Sequence, residues 1–273
     1  MKQNLKENKE EKMTEAYIID AARTPRGIGK LGKGSLSEFH PGRLLATVLE
    51  EIQKRNDLVT QDIDDVVIGC SSQVGKQGSC VGRMAALDAG WDTSASAVTL
   101  DSFCGSGITS VNLAAANIMS GMDDLCVAGG VEMMSYTATL TSERNNRTVD
   151  GGNLHLREIH PQPHQGICAD LIATLEGFSR EELDALAVES QNRAQQAIAE
   201  GRFDRSLITV RNEDGSIALD REEFPRPGTT LDTLASLPTV FSEFMPTPVD
   251  DGGETFTELV ARRYPDLEIN HVH

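Results

Sequence analysis

The stretch from residue 97 to residue 121 reads AVTLDSFCGSGITSVNLAAANIMSG, and it indicates the fold more clearly than any other part of the chain. Its start, from Ala97 to Phe103, favours a buried strand, and the glycines on either side of Ser106 favour a tight turn. From Ile108 onward apolar residues recur at helical spacing, and Gly121 can close a helix in a left-handed conformation. The stretch therefore predicts a strand, a tight turn and a helix in succession.

Predicted helices and predicted strands flank this unit on both sides. Apolar residues at helical spacing predict a helix over residues 44–55 and another over residues 80–89. Short apolar runs predict strands at residues 16–19, 66–70 and 125–130. Because strands and helices alternate, we expect an α/β protein with one mainly parallel, mixed sheet flanked by helices.

Composition and charge narrow the class of protein. Hydrophobic residues make up 39 % of the 273 residues, enough for a core, whereas aromatic residues make up only 4 %, which argues against a β-sandwich. The formal charge of −17 disfavours nucleic acid and anionic membrane surfaces as partners. No apolar run approaches the roughly 20 residues of a membrane span. An anionic small substrate would need a local Arg or Lys.

The rest of the chain is less regular. Ser179 begins a capping box, which predicts a helix that ends at Gly201, and a short helix is expected from Thr255 to Arg263. Residues 135–165 show neither helical nor strand spacing. We expect four segments, which are a disordered tail (1–14), an α/β core (15–134), an inserted loop lobe (135–236) and an incomplete return segment towards the core (237–273).

Cys104 is the candidate nucleophile, because a thiol at the start of a helix meets unpaired backbone N–H groups that stabilise a thiolate. Gly105 and Gly107 leave room for a substrate to reach the sulfur. The alternative is a small buried hydrophobic residue, the usual role of a free cysteine. The five cysteines are well separated and favour neither disulfides nor zinc, which fits a reducing cytoplasm; they are Cys70, Cys80, Cys104, Cys126 and Cys168.

Three histidines could be read as a metal site. His160 and His164 have the spacing of a helical ligand pair, and His155 lies close in sequence. Pro161 and Pro163 are incompatible with that helix, so we expect no metal.

Five motifs resemble the thiolase family in order and spacing, over roughly residues 15–236. They are Ala21–Pro25, Phe103–Gly107, Ala128–Ser135, His164–Gly166 and Arg226–Leu231. The resemblance implies a thiolase-like fold and an acyl-CoA C-acyltransferase. In such an enzyme Cys104 would carry an acyl group as a thioester, at a turn made by Gly105 and Gly107, while 3-ketoacyl-CoA is formed or cleaved.

The resemblance also implies substrate contacts. His164 matches the family histidine beside the pantetheine tunnel, and Gln165 stands where many thiolases have Met. Arg226 matches an arginine near the CoA nucleotide, although a solvated surface arginine is the alternative. Arg23 and Glu132 are expected to be structural, paired charges. The family further implies acyl-CoA substrates, no cofactor besides CoA, and a homodimer or homotetramer.

The C-terminal half of a thiolase is not recognisable in the sequence, including its Asn-Glu pair, Gly-His-Pro histidine and Cys-x-Gly cysteine. We therefore expect a truncated chain that is not competent alone, with an uncovered sheet edge and an exposed apolar face. The alternatives are a catalytically silent CoA-binding or oligomer-forming module, a ketosynthase and, least favoured, a cysteine hydrolase.

Overall fold

A computed structural model describes residues 15–143, 149–249 and 252–272. The chain forms two compact units, the first made of residues up to 137 together with Asp204–Glu223, and the second made of Ala138–Phe203 together with residues from Phe224 onward. The predicted disordered tail, residues 1–14, lies outside the described residues. The four-part division expected from the sequence stays a prediction.

The first unit contains the predicted alternation of helices and strands. Its elements are α1 (Pro41–Asn56), β1 (Asp65–Gly69), α2 (Val81–Asp88), β2 (Ser96–Leu100), α3 (Ser106–Ser120), β3 (Cys126–Gly130), α4 (Met134–Thr137), β4 (Val210–Arg211) and β5 (Ile217–Leu219). Gly121 closes α3 in the left-handed conformation, as predicted, with φ of 75°.

The sheet of the first unit has three parallel strands in the order β2-β1-β3. Asp65 in β1 lies beside Ser96 of β2 and Cys126 of β3, and the register continues without a shift to Gly69. The strands β4 and β5 form a separate antiparallel pair. The α/β class and the parallel sheet predicted from the sequence are confirmed.

Helices cover both faces of β1. Val66 and Ile68 are buried in a cluster with residues of α1 and α2, such as Leu45 and Val81. Because side chains alternate along a strand, Gly69 faces the opposite side. A Cβ atom added there would lie 2.4 Å from the carbonyl carbon and oxygen of Ser106. The first turn of α3 therefore packs directly on the end of β1.

The helix α3 has its large apolar residues on the outside. Ser110 has no exposed surface and Ser106 is 4 % exposed, whereas Ile108 is 68 % and Met119 46 % exposed. Val111 continues the exposed face at helical spacing. Small residues on the sheet side allow close packing, and the outer side of α3 is an exposed apolar face.

The predicted strand at residues 16–19 is wrong. Tyr17, Ile18 and Ile19 are 75 %, 82 % and 69 % exposed, and the segment is extended without being part of a sheet. An apolar run becomes a strand only where a neighbour pairs with its backbone. Among the described residues no strand pairs with this segment; the nearest pairing is a single bridge from Arg23 to Leu207.

The second unit is helical. Its elements are α5 (Leu154–Ile159), α6 (Gln165–Glu176), α7 (Arg180–Ala199), α8 (Leu231–Ala235) and α9 (Phe256–Ala261). Ser179 and Glu182 form the predicted capping box of α7, and Thr255 caps α9 in the same way. The helix α5 lies in the stretch that showed no regular spacing, so the sequence missed it. Within the described residues, no helix has both the length and the apolar character needed to cross a bilayer.

Among the described residues, the core of the second unit is one apolar cluster around α6 and α9. Its buried members are Ile167, Leu171, Val249, Phe256, Leu259 and Val260. Phe241 and Phe244 pack against this cluster from a short 3₁₀ turn.

We predict that Gly69→Ala lowers the free energy of unfolding by about 1–3 kcal/mol, since the methyl group would overlap the backbone of α3. Gly107→Ala is the matched control. A Cβ atom at Gly107 has no neighbour within 4 Å, so this variant should be as stable as the wild type or slightly more stable. Urea denaturation followed by circular dichroism measures both, and equal stabilities would contradict the close packing of β1 and α3.

Candidate active site

Cys104 lies at the surface, between the end of β2 and the start of α3. Gly105 is the N-cap residue of α3, so the cysteine stands just before the helix. This confirms the predicted position at a strand-to-helix turn. The alternative prediction, that Cys104 is a small buried hydrophobic residue, is wrong because the residue is exposed.

The turn that carries Cys104 is tightly hydrogen-bonded. Ser106 Oγ accepts the N–H of Ser102 at 2.9 Å and donates to the carbonyl of Phe103 at 2.6 Å. The N–H of Gly105 donates to the Ser102 carbonyl, and the N–H of Phe103 donates to Asp101 Oδ1. Phe103 has a φ of 50°, in the left-handed region that costs a residue with a side chain about 1–2 kcal/mol. Four hydrogen bonds of about 1 kcal/mol each outweigh that cost.

A second serine, Ser110, connects the first turn of α3 to the sheet. Ser110 is fully buried, and its Oγ lies 2.6 Å from the carbonyl oxygen of Gly107 and 2.7 Å from that of Gly129. It therefore joins α3 to β3. Above the turn, the position of Gly107 is open, so a ligand can approach the first turn of α3. The sequence did not single out the structural role of either serine.

Helix termini leave backbone N–H groups without intrahelical partners. At the start of α3 the N–H groups of Gly105 and Ser106 donate to the carbonyls of Ser102 and Phe103, so among the described residues those of Gly107 and Ile108 are left for a ligand. Such groups can hold an oxyanion that forms at the sulfur. Within the described residues of the first unit, no side chain hydrogen-bonds the sulfur of Cys104.

The other cysteines differ from Cys104 in environment. Burial, with help from Glu132, raises the pKa of Cys70 to about 11, and burial together with Asp123 raises the pKa of Cys126 to about 12. Burial also raises the pKa of Cys168. In each of these three thiols the environment favours the protonated form over the thiolate.

Glu132 is held by hydrogen bonds from amide groups and not by the charged partner that we expected. Its carboxylate accepts the N–H groups of Ser71 and Ser72 and the side-chain amide of Gln77, which is fully buried. Gln77 in turn accepts the N–H of Met133 at 2.6 Å. This network closes the chain around the ends of β1 and β3.

Arg23, by contrast, is paired with a charged group, as expected. One of its guanidinium nitrogens lies 2.5 Å from a carboxylate oxygen of Glu222.

In the second unit, His164 is the N-cap residue of α6. Its Nδ1 accepts the N–H of Gly166 at 3.1 Å, and its ring packs on Phe241 and Phe244 with centroid distances of 5.1 and 5.6 Å. A Cβ atom at Gly166 would lie 2.1 Å from the ring of Phe241, so only glycine fits there. Gln165, the first residue of α6, is exposed.

Arg226 is exposed and lies in the second unit. Its backbone N–H donates to Gln191 Oε1 at 2.8 Å, and its guanidinium lies 5.8 Å from the ring centroid of Phe224. The backbone position is therefore held, while the charged group reaches solvent.

The predicted site residues fall into two groups. Cys104, Gly105 and Gly107 lie together in the first unit, and His164 and Gln165 lie together in the second, where Arg226 belongs as well. His155 lies in α5, His160 ends that helix and His164 begins α6. The described part of the chain contains no group of three or more His, Cys, Asp or Glu side chains arranged to hold a metal ion.

Comparison with known proteins decides the family. A family model described as "Thiolase, N-terminal domain" matches residues 16–247. The chain belongs to the thiolase family. This thiolase chain is 35 % identical to a 3-ketoacyl-CoA thiolase of Bacillus subtilis over 243 residues, which cover 84 % of the chain and 60 % of that relative.

Other relatives agree. A steroid 3-ketoacyl-CoA thiolase of Mycobacterium tuberculosis is 35 % identical, with 82 % of the chain and 56 % of that relative covered. The crystal structure of the Bacillus anthracis acetyl-CoA acetyltransferase matches with a TM-score of 0.70 and 26 % identity, over 84 % of the chain and 59 % of that structure. The chain thus spans about three-fifths of the length of these relatives.

We predict that iodoacetamide labels Cys104 much faster than Cys70 or Cys126, because the sulfur of Cys104 is exposed while burial keeps the other two thiols protonated. Peptide mass spectrometry over a time course at neutral pH measures the three rates. Equal labelling of all three in the folded protein would contradict the described turn.

Replacing Ser106 by Ala should lower the free energy of unfolding by about 1–3 kcal/mol, because it leaves the N–H of Ser102 and the carbonyl of Phe103 without their partner. Ser120→Ala is the matched control on the same helix. Its hydroxyl is exposed and bonds only locally to Asn117, so its loss should change stability by less than about 0.5 kcal/mol. Denaturant titration of both variants measures the difference.

Proposed function

We propose that this chain is the acyl-accepting part of an acyl-CoA C-acyltransferase that forms or cleaves 3-ketoacyl-CoA. The observation that carries the proposal is the exposed sulfur of Cys104, presented by a hydrogen-bonded turn at the start of α3 in a chain of the thiolase family. The relatives named as 3-ketoacyl-CoA thiolases and as an acetyl-CoA acetyltransferase support this reaction class.

The proposed chemistry has two steps. The thiolate of Cys104 attacks the carbonyl carbon of an acyl-CoA, and the bond to the CoA sulfur breaks, so that an acyl thioester forms on Cys104 and CoA leaves as a thiol after taking a proton. The enolate of a second acyl-CoA then attacks this thioester, releasing the thiolate and giving 3-ketoacyl-CoA. Cleavage is the reverse, with CoA as the attacking thiol. The backbone N–H of Gly107, in the first turn of α3, is suited to hold the negative oxygen in each step, while Gly105 shapes the turn by donating its own N–H to Ser102.

Substrate binding is assigned to the second unit. We place the pantetheine arm of CoA beside His164 and Gln165, and the CoA phosphates near Arg226. In a chain with a formal charge of −17, a guanidinium that reaches solvent is the local cation that an anionic CoA ester needs. No resident metal or other cofactor is assigned, because both steps use only thiolate, enolate and amide groups.

Turnover requires a base and an acid for the thiol. Since no side chain in the described part of the first unit hydrogen-bonds the Cys104 sulfur, we propose that these groups come from the two-fifths of the relatives' length that the chain does not match. We further propose that the protein is a homodimer or homotetramer and that it lies in the cytoplasm. The free, well-separated cysteines support that compartment.

A second candidate is a catalytically silent module that binds CoA or forms oligomers. The exposed apolar face of α3, with Ile108, Val111 and Met119, favours it, because such a face is typical of an interaction surface. The two candidates differ in whether a covalent acyl group forms on Cys104.

Intact-mass spectrometry after incubation with acetyl-CoA tests the proposal. It is done on the chain and on a fusion that adds the part of the Bacillus subtilis relative beyond the matched region. We expect one acetyl group on the fusion and on its Cys126→Ala variant, none on its Cys104→Ala variant, and release of the group by hydroxylamine. Cys126 is a fitting control because it is a half-buried cysteine with a raised pKa.

Two results would contradict the acyltransferase. Acetylation that persists in Cys104→Ala would place the chemistry elsewhere. Binding of CoA in calorimetry, without any acetylation of the chain or the fusion, would favour the silent module.

A further inference from the structure

The buried face of α6 carries one carboxylate, Asp170, whose side chain has no exposed surface. It lies between Ile167 and Leu171, both members of the apolar core cluster of the second unit. A carboxylate in such a place is strongly destabilising unless it is paired and hydrogen-bonded. The hydrogen-bond partners of Asp170 therefore identify the segment that is attached to α6.

The partners come from the end of the described chain. Asp170 Oδ2 lies 2.6 Å from Nδ1 of His271, and Asp170 Oδ1 accepts the N–H of Val272 at 3.1 Å. One turn further along α6, Thr174 Oγ1 accepts the N–H of Asn270 at 3.0 Å. Val272 itself is 3 % exposed. Three successive residues, which we call the clasp (Asn270–Val272), are thus attached to one face of α6.

The same helix carries His164 at its N-terminus, six residues before Asp170 and about 9 Å along the axis. Because Nδ1 of His164 accepts the N–H of Gly166, the neutral ring has its proton on Nε2, which is then a donor. Phe241 and Phe244 hold the ring from the side. The cap lies within α6 and moves with it, so a shift of α6 would carry the donor away from Phe241 and Phe244, and local opening of α6 would break the cap.

We propose that Asp170 is a positioning residue, which binds the clasp and so fixes α6 and the Nε2–H donor of His164 for the amide-rich arm of CoA. The proposal rests on the proposed function for the identity of the ligand. The attachment of the clasp to α6 does not depend on the proposed function, because it consists of hydrogen bonds between protein groups of the second unit.

The test uses the full chain with three variants. His271→Leu removes the donor to Asp170, while His271→Asn keeps an amide nitrogen at the position of Nδ1 and should rescue. Asp184→Asn is the matched control: Asp184 is a mostly buried carboxylate of the same unit that pairs with Arg180 at 2.9 Å, and among the described residues it has no hydrogen bond to the clasp.

Two readouts need no substrate. We expect His271→Leu to raise hydrogen exchange of the Gly166 amide roughly tenfold or more, as the loss of a charge-assisted hydrogen bond implies. The ¹⁵N spectrum of the His164 ring should change from a single Nε2–H tautomer to a mixture. His271→Asn and Asp184→Asn should leave both readouts as in the wild type. An unchanged His271→Leu, a failed rescue by His271→Asn, or an equal change in Asp184→Asn would overturn the proposal.

A third readout connects the clasp to CoA. Calorimetry should show CoA binding roughly tenfold weaker for His271→Leu than for the wild type, with affinity restored in His271→Asn. If the wild type does not bind CoA at all, the assigned ligand and the CoA site fail, while hydrogen exchange and the ring spectrum still decide whether Asp170 positions α6. If CoA binds the wild type and His271→Leu equally well, Asp170 does not position His164 for CoA.

Discussion

The close approach of β1 and α3 is the constraint on which the first unit depends. Gly69 has no side chain, so the backbone of Ser106 can pack directly on the strand, at a distance that a single methyl group would prevent. Ser110 then reaches the carbonyl of Gly129 in the neighbouring strand. These contacts set the height of the helix start above the sheet, and they leave Cys104 at the surface rather than in the core.

This packing also explains why α3 is unusual. A helix that faces a sheet normally buries its large apolar residues, but α3 buries Ser106, Ser110 and Ala114 and exposes Ile108 and Met119. Small residues are needed on the inner side because the backbones are so close. The large residues are left on the outer side of the helix, where they form a second apolar surface.

In both units, polar side chains near the core are paired with nearby backbone and side-chain groups. In the first, Glu132 and Gln77 bind each other and the surrounding backbone N–H groups. In the second, Asp170 binds the clasp, and His164 caps α6 between two aromatic rings. In both units a buried or half-buried polar side chain determines where a chain segment lies, because leaving it unpaired costs more than ordering its partners.

The sequence by itself determined the α/β class, the parallel sheet, the main helices and the position of Cys104, because spacing, capping and glycine turns are local signals. The capping box at Ser179 and the left-handed Gly121 show this well. Only the tertiary structure decided that residues 16–19 are not a strand, since pairing depends on a neighbour that spacing does not reveal. It likewise decided the clasp, where Asp170 and His271 meet although about a hundred positions separate them. A buried charge selects its partner through packing in three dimensions, and no local pattern of residues encodes that choice.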